Sequence, residues 1–191
     1  AEEALDQLAD APPPTHVFLQ GGVGGLAAAV AARLDRRFGP GRPRIVVVEP
    51  DRAACLLESC RAGRPVAVEG DLATVMAGLA CGEPSLLAWR VLDELAHAFL
   101  AIPDHAAVAV MRLLAEGVGG DPPLVIGESG VAGLAGALAA AGCRALAEPL
   151  GLGPQSRVLV IGTEGATDPE LWRAIVGRTP EEVVARRGDQ G

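Results

Sequence analysis

The sequence predicts an α/β fold, a three-layer sandwich around a mostly parallel, Rossmann-like sheet, in a single domain over residues 1–191. Three observations carry this expectation. Short apolar stretches alternate with helical segments of about 10–15 residues, the pattern of βαβ units. Arg44-Ile-Val-Val-Val-Glu49 is apolar without alternation, as a strand buried on both faces is. His16-Val-Phe-Leu-Gln20 runs into Gly21-Gly-Val-Gly-Gly25 and then into an alanine-rich stretch, a strand–loop–helix turn that can wrap an anion.

Taken in order, residues 1–10 read as the end of an amphipathic helix with Ala4, Leu5 and Leu8 on one face, stopped by Pro12-Pro13-Pro14. A strand over 15–20 precedes the glycine run, and the next helix extends to Phe38. Gly39-Pro-Gly-Arg-Pro43 is a turn, 44–49 a strand, and 52–62 a helix opened by Pro50-Asp51. A short strand is expected over 65–69 and a helix over 72–80, with Leu72, Met76 and Leu79 on one face. Cys81-Gly-Glu-Pro-Ser85 is a loop, 86–95 a helix, 98–102 a strand, and 104–116 a helix. Leu124-Val-Ile126 reads as a strand, 127–130 as a turn, 131–142 as a helix, 157–161 as the last strand, and 169–177 as a helix. Right-handed crossovers place all strand C-termini on one edge. The glycine run, Glu49, Glu128 and Thr163 are therefore expected to gather there.

Composition narrows the function. A net charge of −8 argues against a nucleic-acid surface, which needs a basic stripe. No apolar run reaches the roughly 18 residues of a membrane span and no signal-peptide n-region is present, so the chain reads as soluble and cytoplasmic. All 16 basic residues are arginine, and the chain contains no lysine, tyrosine or asparagine. Cys55, Cys60, Cys81 and Cys143 form no CxxC and no histidine pair has ligand spacing, so no metal site is expected. The cysteines read as small buried apolar side chains, with a Cys55–Cys81 bridge as the alternative.

The residues alone leave the ligand open. Gly22-x-Gly24-x-x-Ala27 satisfies a dinucleotide fingerprint, and Glu49 ends the second strand where a ribose-binding acid would sit. Glu49 reads equally as a neighbour of a helix N-terminus. Ser129 lies on a strand-to-helix turn, but a nucleophile elbow needs glycine where Val131 stands, and His16, His97 and His105 all precede the serine.

A resemblance adds a third ligand. Gly22-Val-Gly-Gly-Leu26 resembles the phosphate loop of the fold-type-II, or tryptophan-synthase-β, superfamily of pyridoxal-phosphate enzymes. Gly127-Glu-Ser-Gly-Val-Ala-Gly-Leu-Ala135 is similar to the Glu-Pro-Ala-Gly-Ala segment of threonine dehydratases, and Gly162-Thr-Glu-Gly-Ala-Thr-Asp168 to the segment facing the pyridine nitrogen. Within the superfamily, Thr15–Gln20, Val47–Asp51, the block Gly70–Ser85 with Ala88-Trp89, and Gly127–Gly130 resemble the diaminopropionate ammonia-lyases. The likeness covers nearly the whole chain, and 70–89 is its most specific part.

The resemblance implies part of the large domain of a fold-type-II enzyme. Its cofactor would be pyridoxal 5′-phosphate, its substrate a small amino acid, 2,3-diaminopropionate, converted to pyruvate and ammonia. A serine- or threonine-dehydratase-like relative and a Rossmann-like nucleotide-binding module are the alternatives. Gly21, Gly22, Val23, Gly24, Gly25 and Leu26 would bind the cofactor phosphate, Glu128 would lie beside the ring, and Thr163 would offer its hydroxyl to the pyridine nitrogen. Thr163 also reads as a capping hydroxyl, and Glu128 as a core-edge acid. Asp71, Thr74, Met76, Cys81, Glu83 and Ser85 would stand at the substrate rim, unless 72–80 is a plain helix face. The family's Schiff-base lysine lies upstream of the matching part, so no catalytic residue is expected in this chain. By this resemblance the chain corresponds to a C-terminal half, working as a homodimer or with a missing N-terminal half or partner chain, and is inactive alone.

Overall fold

The computed structural model describes residues 2–7 and 11–188. Four parallel strands form the sheet among them: β1 (His16–Gln20), β2 (Arg44–Pro50), β3 (Ala98–Ile102) and β4 (Val158–Val160), in the order β3-β2-β1-β4. Phe18 pairs with Val46 on one side and Val160 on the other, and Val48 pairs with Leu100. β1 and β2 are buried along nearly their whole length, as unbroken apolar runs require.

The pleat divides the core in two. Val17, Leu19, Ile45 and Val47 pack with the helices α2 (Gly25–Phe38), α3 (Cys55–Ala62) and α4 (Leu86–Leu95). Leu5, from the short α1 (Glu2–Gln7), joins this layer; Leu8 lies outside the described residues. Phe18, Val46 and Val48 face the other way, toward α5 (Asp104–Glu116), α6 (Ala132–Gly142) and α8 (Pro169–Val176). Helices on both faces of a parallel sheet make the three-layer sandwich. α7 (Arg144–Leu150) and α9 (Pro180–Gly188) complete the described residues.

α6 lies directly against the strands because two of its residues have no side chain. A Cβ on Gly133 would stand 2.7 Å from the carbonyl oxygen of Phe18, and one on Gly136 would stand 2.6 Å from a methyl of Val48. Both contacts are far inside van der Waals range, so glycine sets the distance between helix and sheet.

Several elements differ from the sequence expectation. Residues 65–69 form no strand: Val66 N–H donates to Ser59 Oγ and Val68 N–H to the Gly82 carbonyl. Residues 72–80 are not a helix beyond one short turn at Ala77–Leu79, because side chains take the backbone donors: Asp104 accepts from Val75 N–H at 3.1 Å and Ser129 from Gly78 N–H at 3.0 Å. Leu124–Ile126 stays outside the sheet, with Leu124 N–H donating to the Leu114 carbonyl. α7 and α9 are additions. Thr179 and Glu182 cap α9 reciprocally, a Thr-x-x-Glu signal that was present in the sequence.

α3 begins at Cys55, not at 52, and Glu49 explains where it starts. Glu49 is the sixth residue of β2, fully buried, and its two carboxyl oxygens accept from Leu56 N–H and Leu57 N–H, both at 2.8 Å. It caps α3 from a distance, since Ala54 at the N-cap has no side-chain oxygen to offer. The reading of Glu49 as a ribose-binding acid is thereby corrected: both oxygens are engaged, and burial excludes a ligand. Burial also pushes its carboxyl up to about 7, against the lowering effect of the two backbone N–H groups.

Two predictions follow from this packing. Because the folded pKa of Glu49 lies above the ordinary value of 4.5, the folded state holds an extra proton between about pH 4.5 and 7. Its contribution to stability is therefore complete below that window and lost as pH rises through it; the melting temperature of Glu49→Gln is expected to lose this pH dependence. Gly133→Ala is expected to cost about 1–3 kcal/mol of overpacking, of which helix propensity returns about 1 kcal/mol. Gly142→Ala, with nothing within 4 Å of its Cβ position, should be neutral or stabilising when both variants are compared by urea titration.

Candidate functional site

β1 is flanked by β2 on one side and β4 on the other: the chain crosses from β1 to β2 at one edge and returns later as β4 at the opposite edge. Such a switch point opens a crevice at the strand C-termini. A cavity of about 550 Å³ occupies it, within the range of small-ligand sites. Its walls come from the glycine run after β1, the segment after β4, the turn holding Gly78 and Cys81, and Ser129.

The glycine run forms one wall through its backbone. Gly24 stands at the N-cap of α2 with φ 93°, a conformation costly for residues with a Cβ. A Cβ on Gly22 would come within 3.2 Å of Cys81 Sγ and 3.3 Å of the Gly78 carbonyl oxygen, so a side chain there would crowd the crevice. Among the described residues, the amides of Gly22, Val23, Gly24, Gly25 and Leu26 have no protein acceptor. They stand at the positive end of a 14-residue helix whose first turn carries no acid. Free amides at a helix N-terminus and an absence of neighbouring acids in that turn are the donor set for a phosphate monoester. The carbonyls of the loop are tied down separately: Val23 C=O accepts from Ser85 N–H at 2.9 Å, and Gly22 C=O from the Cys55 thiol at 3.6 Å. Burial, helped by the nearby Glu49 carboxyl, pushes that thiol up to about 12, so it remains a donor.

Gly22, Val23, Gly24, Gly25, Leu26 and Thr163 all line the cavity, as does Cys81. Gly21 does not. Its amide donates to the Val48 carbonyl at 2.7 Å, and a Cβ would strike Val47 at 2.7 Å, so it extends the sheet and has no N–H left for a ligand. Glu128 is also outside the lining, 4% exposed, with Oε2 unpartnered among the described residues. Burial holds its carboxyl above the usual carboxylate range, and the neighbouring acids Glu164 and Asp168 add to this.

The rim candidates fall elsewhere. Met76 is fully buried in the core beneath α5 and α6, because residues 72–80 do not form the exposed helix expected of them. Thr74 donates its hydroxyl to Asp104, and Asp71 accepts from Ala73 N–H and pairs with Arg52 at 3.1 Å. Ser85 caps α4, accepting from Ala88 N–H at 3.4 Å, and Glu83 is exposed outside the lining. The cysteines are all free: Cys55 is buried and unbridged to Cys81, while Cys60 and Cys143 are exposed, so only one of the four is a buried apolar side chain.

Lining residues that the sequence reading did not assign to the site include Gln20, Glu164 and Ser129. Gln20, the last residue of β1, is 4% exposed and donates from Nε2 to the Ile161 carbonyl at 2.9 Å and to Thr163 Oγ1 at 2.5 Å. Glu164 accepts from Ser129 N–H at 2.8 Å and Gly130 N–H at 3.2 Å. Ser129, dismissed as a nucleophile, accepts from Gly78 N–H and so fastens two walls together. A polar side chain on the last residue of a central strand, next to a glycine run, was the available signal for Gln20.

Known proteins share this fold. The family of pyridoxal-phosphate dependent enzymes matches residues 1–164. Diaminopropionate ammonia-lyase of Escherichia coli K12 is 43% identical over 181 residues, covering 92% of this chain and 45% of that protein. The crystal structure of the Escherichia coli diaminopropionate ammonia lyase in complex with an aminoacrylate-PLP azomethine reaction intermediate superposes with a TM-score of 0.83 at 41% identity, over 92% of this chain and 45% of the other. The same enzyme in complex with D-serine gives a TM-score of 0.82 at 39% identity, over 92% and 44%. The chain thus spans less than half the length of the relatives it matches. Match to the family over most of the sequence, together with a phosphate-type cradle at the switch point of a parallel sheet, shows that the chain belongs to the pyridoxal-phosphate-dependent enzymes.

Proposed function

We propose that this chain forms the cofactor-phosphate side of an ammonia-lyase acting on 2,3-diaminopropionate, with pyruvate and ammonia as products. One observation carries the reading: five backbone amides without protein acceptors line a crevice at the switch point, in a chain 43% identical to such a lyase. The amides from Gly22 to Leu26 hold the phosphate, with the dipole of α2 behind them. Thr163, across the crevice, offers its hydroxyl to the ring nitrogen. When bound, pyridoxal phosphate supplies the electron sink for loss of the β-amine. A neutral hydroxyl at the ring nitrogen leaves that nitrogen largely unprotonated, which suits elimination of a good leaving group.

The amine that anchors the cofactor aldehyde has to come from a lysine, and this chain contains none. We therefore assign no catalytic residue to it and expect the chain by itself to be inactive. Four unpaired cysteines suit a reducing compartment such as the cytoplasm. No helix among the described residues is long and apolar enough to cross a membrane. Leu86 and Leu87, 65% and 75% exposed at the start of α4, support assembly with a second copy or a partner chain.

Titration calorimetry tests the reading. Pyridoxal phosphate is expected to bind, pyridoxal without its phosphate at least tenfold more weakly, and no borohydride-stable adduct should form on this chain. Equal affinity for the two, or preferential binding of NAD, would sink it. Gly24→Ala places a Cβ at φ 93° and within about 3.2 Å of Leu92, Ala88 and Leu56. It should lower stability by about 1–3 kcal/mol and weaken pyridoxal phosphate at least tenfold. Gly25→Ala, with open space at its Cβ, should keep the fold's stability.

A further inference from the structure

Gln20 is the buried polar group of the crevice whose chemistry the proposed function leaves unused. Its side-chain nitrogen faces the Ile161 carbonyl at 2.9 Å. A carbonyl only accepts, so the atom facing it is the nitrogen and the orientation of the amide is fixed by chemistry. The same NH₂ reaches Thr163 Oγ1 at 2.5 Å and can only donate there. The Thr163 oxygen therefore acts as acceptor toward Gln20 and has its own hydrogen to place elsewhere. Among the described residues that hydroxyl has no protein acceptor, and Thr163 lines the cavity. The arrangement carries a cost: Gln20 Oε1 is buried without a partner, worth about 1–3 kcal/mol. A fold that tolerates an orphaned oxygen to keep the amide in one orientation is a sign of function there.

We infer that Gln20 is a positioning residue: by occupying the lone pair of Thr163 it turns the Thr163 hydroxyl into a fixed donor toward the pyridine nitrogen of pyridoxal phosphate. This rests on the reading above, in which Thr163 meets that nitrogen. A donor directed at the nitrogen stabilises its unprotonated form and lowers its proton affinity. With the amide replaced by an acceptor, the hydroxyl hydrogen turns inward, its lone pair faces the ring, and the protonated nitrogen is favoured instead.

The test uses [¹⁵N]pyridoxine 5′-phosphate, which binds without needing an amine, on the full chain. Its nitrogen chemical shift is followed through a pH titration. In the unaltered chain the protonation midpoint is expected at least one pH unit below that of the free ligand. Gln20→Met keeps the volume but removes the donor that occupies the Thr163 lone pair, so the hydroxyl is no longer held toward the ring and the midpoint should rise toward the free value. Gln20→Glu, a second variant of the same shape, should raise it above the free value. In the Thr163→Val background, Gln20→Met should add no further movement. If Thr163→Val moves the midpoint while both Gln20 variants leave it in place and change only affinity, Gln20 is a plain packing residue and the inference fails alone. If Thr163→Val itself leaves the midpoint unchanged, or the unaltered chain does not bind the probe, the placement of Thr163 fails and takes the Gln20 inference with it.

Discussion

The contact of α6 with the sheet is the constraint on which the rest depends. Gly133 rests against the Phe18 carbonyl and Gly136 against Val48, and in both cases a single methyl group would not fit. This close seating buries Phe18, Val46 and Val48 under one layer and leaves β1 central, with β2 and β4 on either side. A central strand covered on both faces has one free direction, along its own axis. The chain leaves β1 in that direction through the glycine run, so the crevice follows from how the layers stack.

No cationic side chain lines the crevice among the described residues. Its cradle uses backbone N–H groups and a helix end, and Glu164, the charged residue in its wall, is held by the Ser129 and Gly130 amides. Ser129 joins the turn at Gly78 to the start of α6, Ser85 ties α4 to the loop, and Cys55 ties α3 to it. α3 and α4 are thus fastened to a loop that presents its backbone N–H groups to the crevice.

Much of this was legible in the sequence. Apolar continuity identified β1 and β2, glycine spacing located the loop that lines the crevice, and α2, α4, α5 and α6 followed from periodicity and their stop signals. The failures share a physical cause. At 65–69 and 72–80 the apolar spacing imitates a strand and a helix, but Ser59, Asp104 and Ser129 capture the backbone donors from other parts of the chain. At 124–126 two prolines precede the segment and its first amide goes to α5. Glu49 was left between a ligand residue and a neighbour of a helix N-terminus because its position at a strand end fits both roles. The choice between them depends on where α3 begins, which is a tertiary fact. Gln20 went unread because a lone amide carries no spacing pattern.

The make-up of the cradle also shapes how this protein can change over time. An anion resting on peptide N–H groups is gripped by atoms that every amino acid except proline possesses, so the grip itself is nearly invisible to substitution. What heredity can alter is the shape of the bend, at the few places where any added carbon collides with its surroundings. Selection on such a pocket would act as a veto against bulk, and diversity in the ligand would have to arise on the opposite wall.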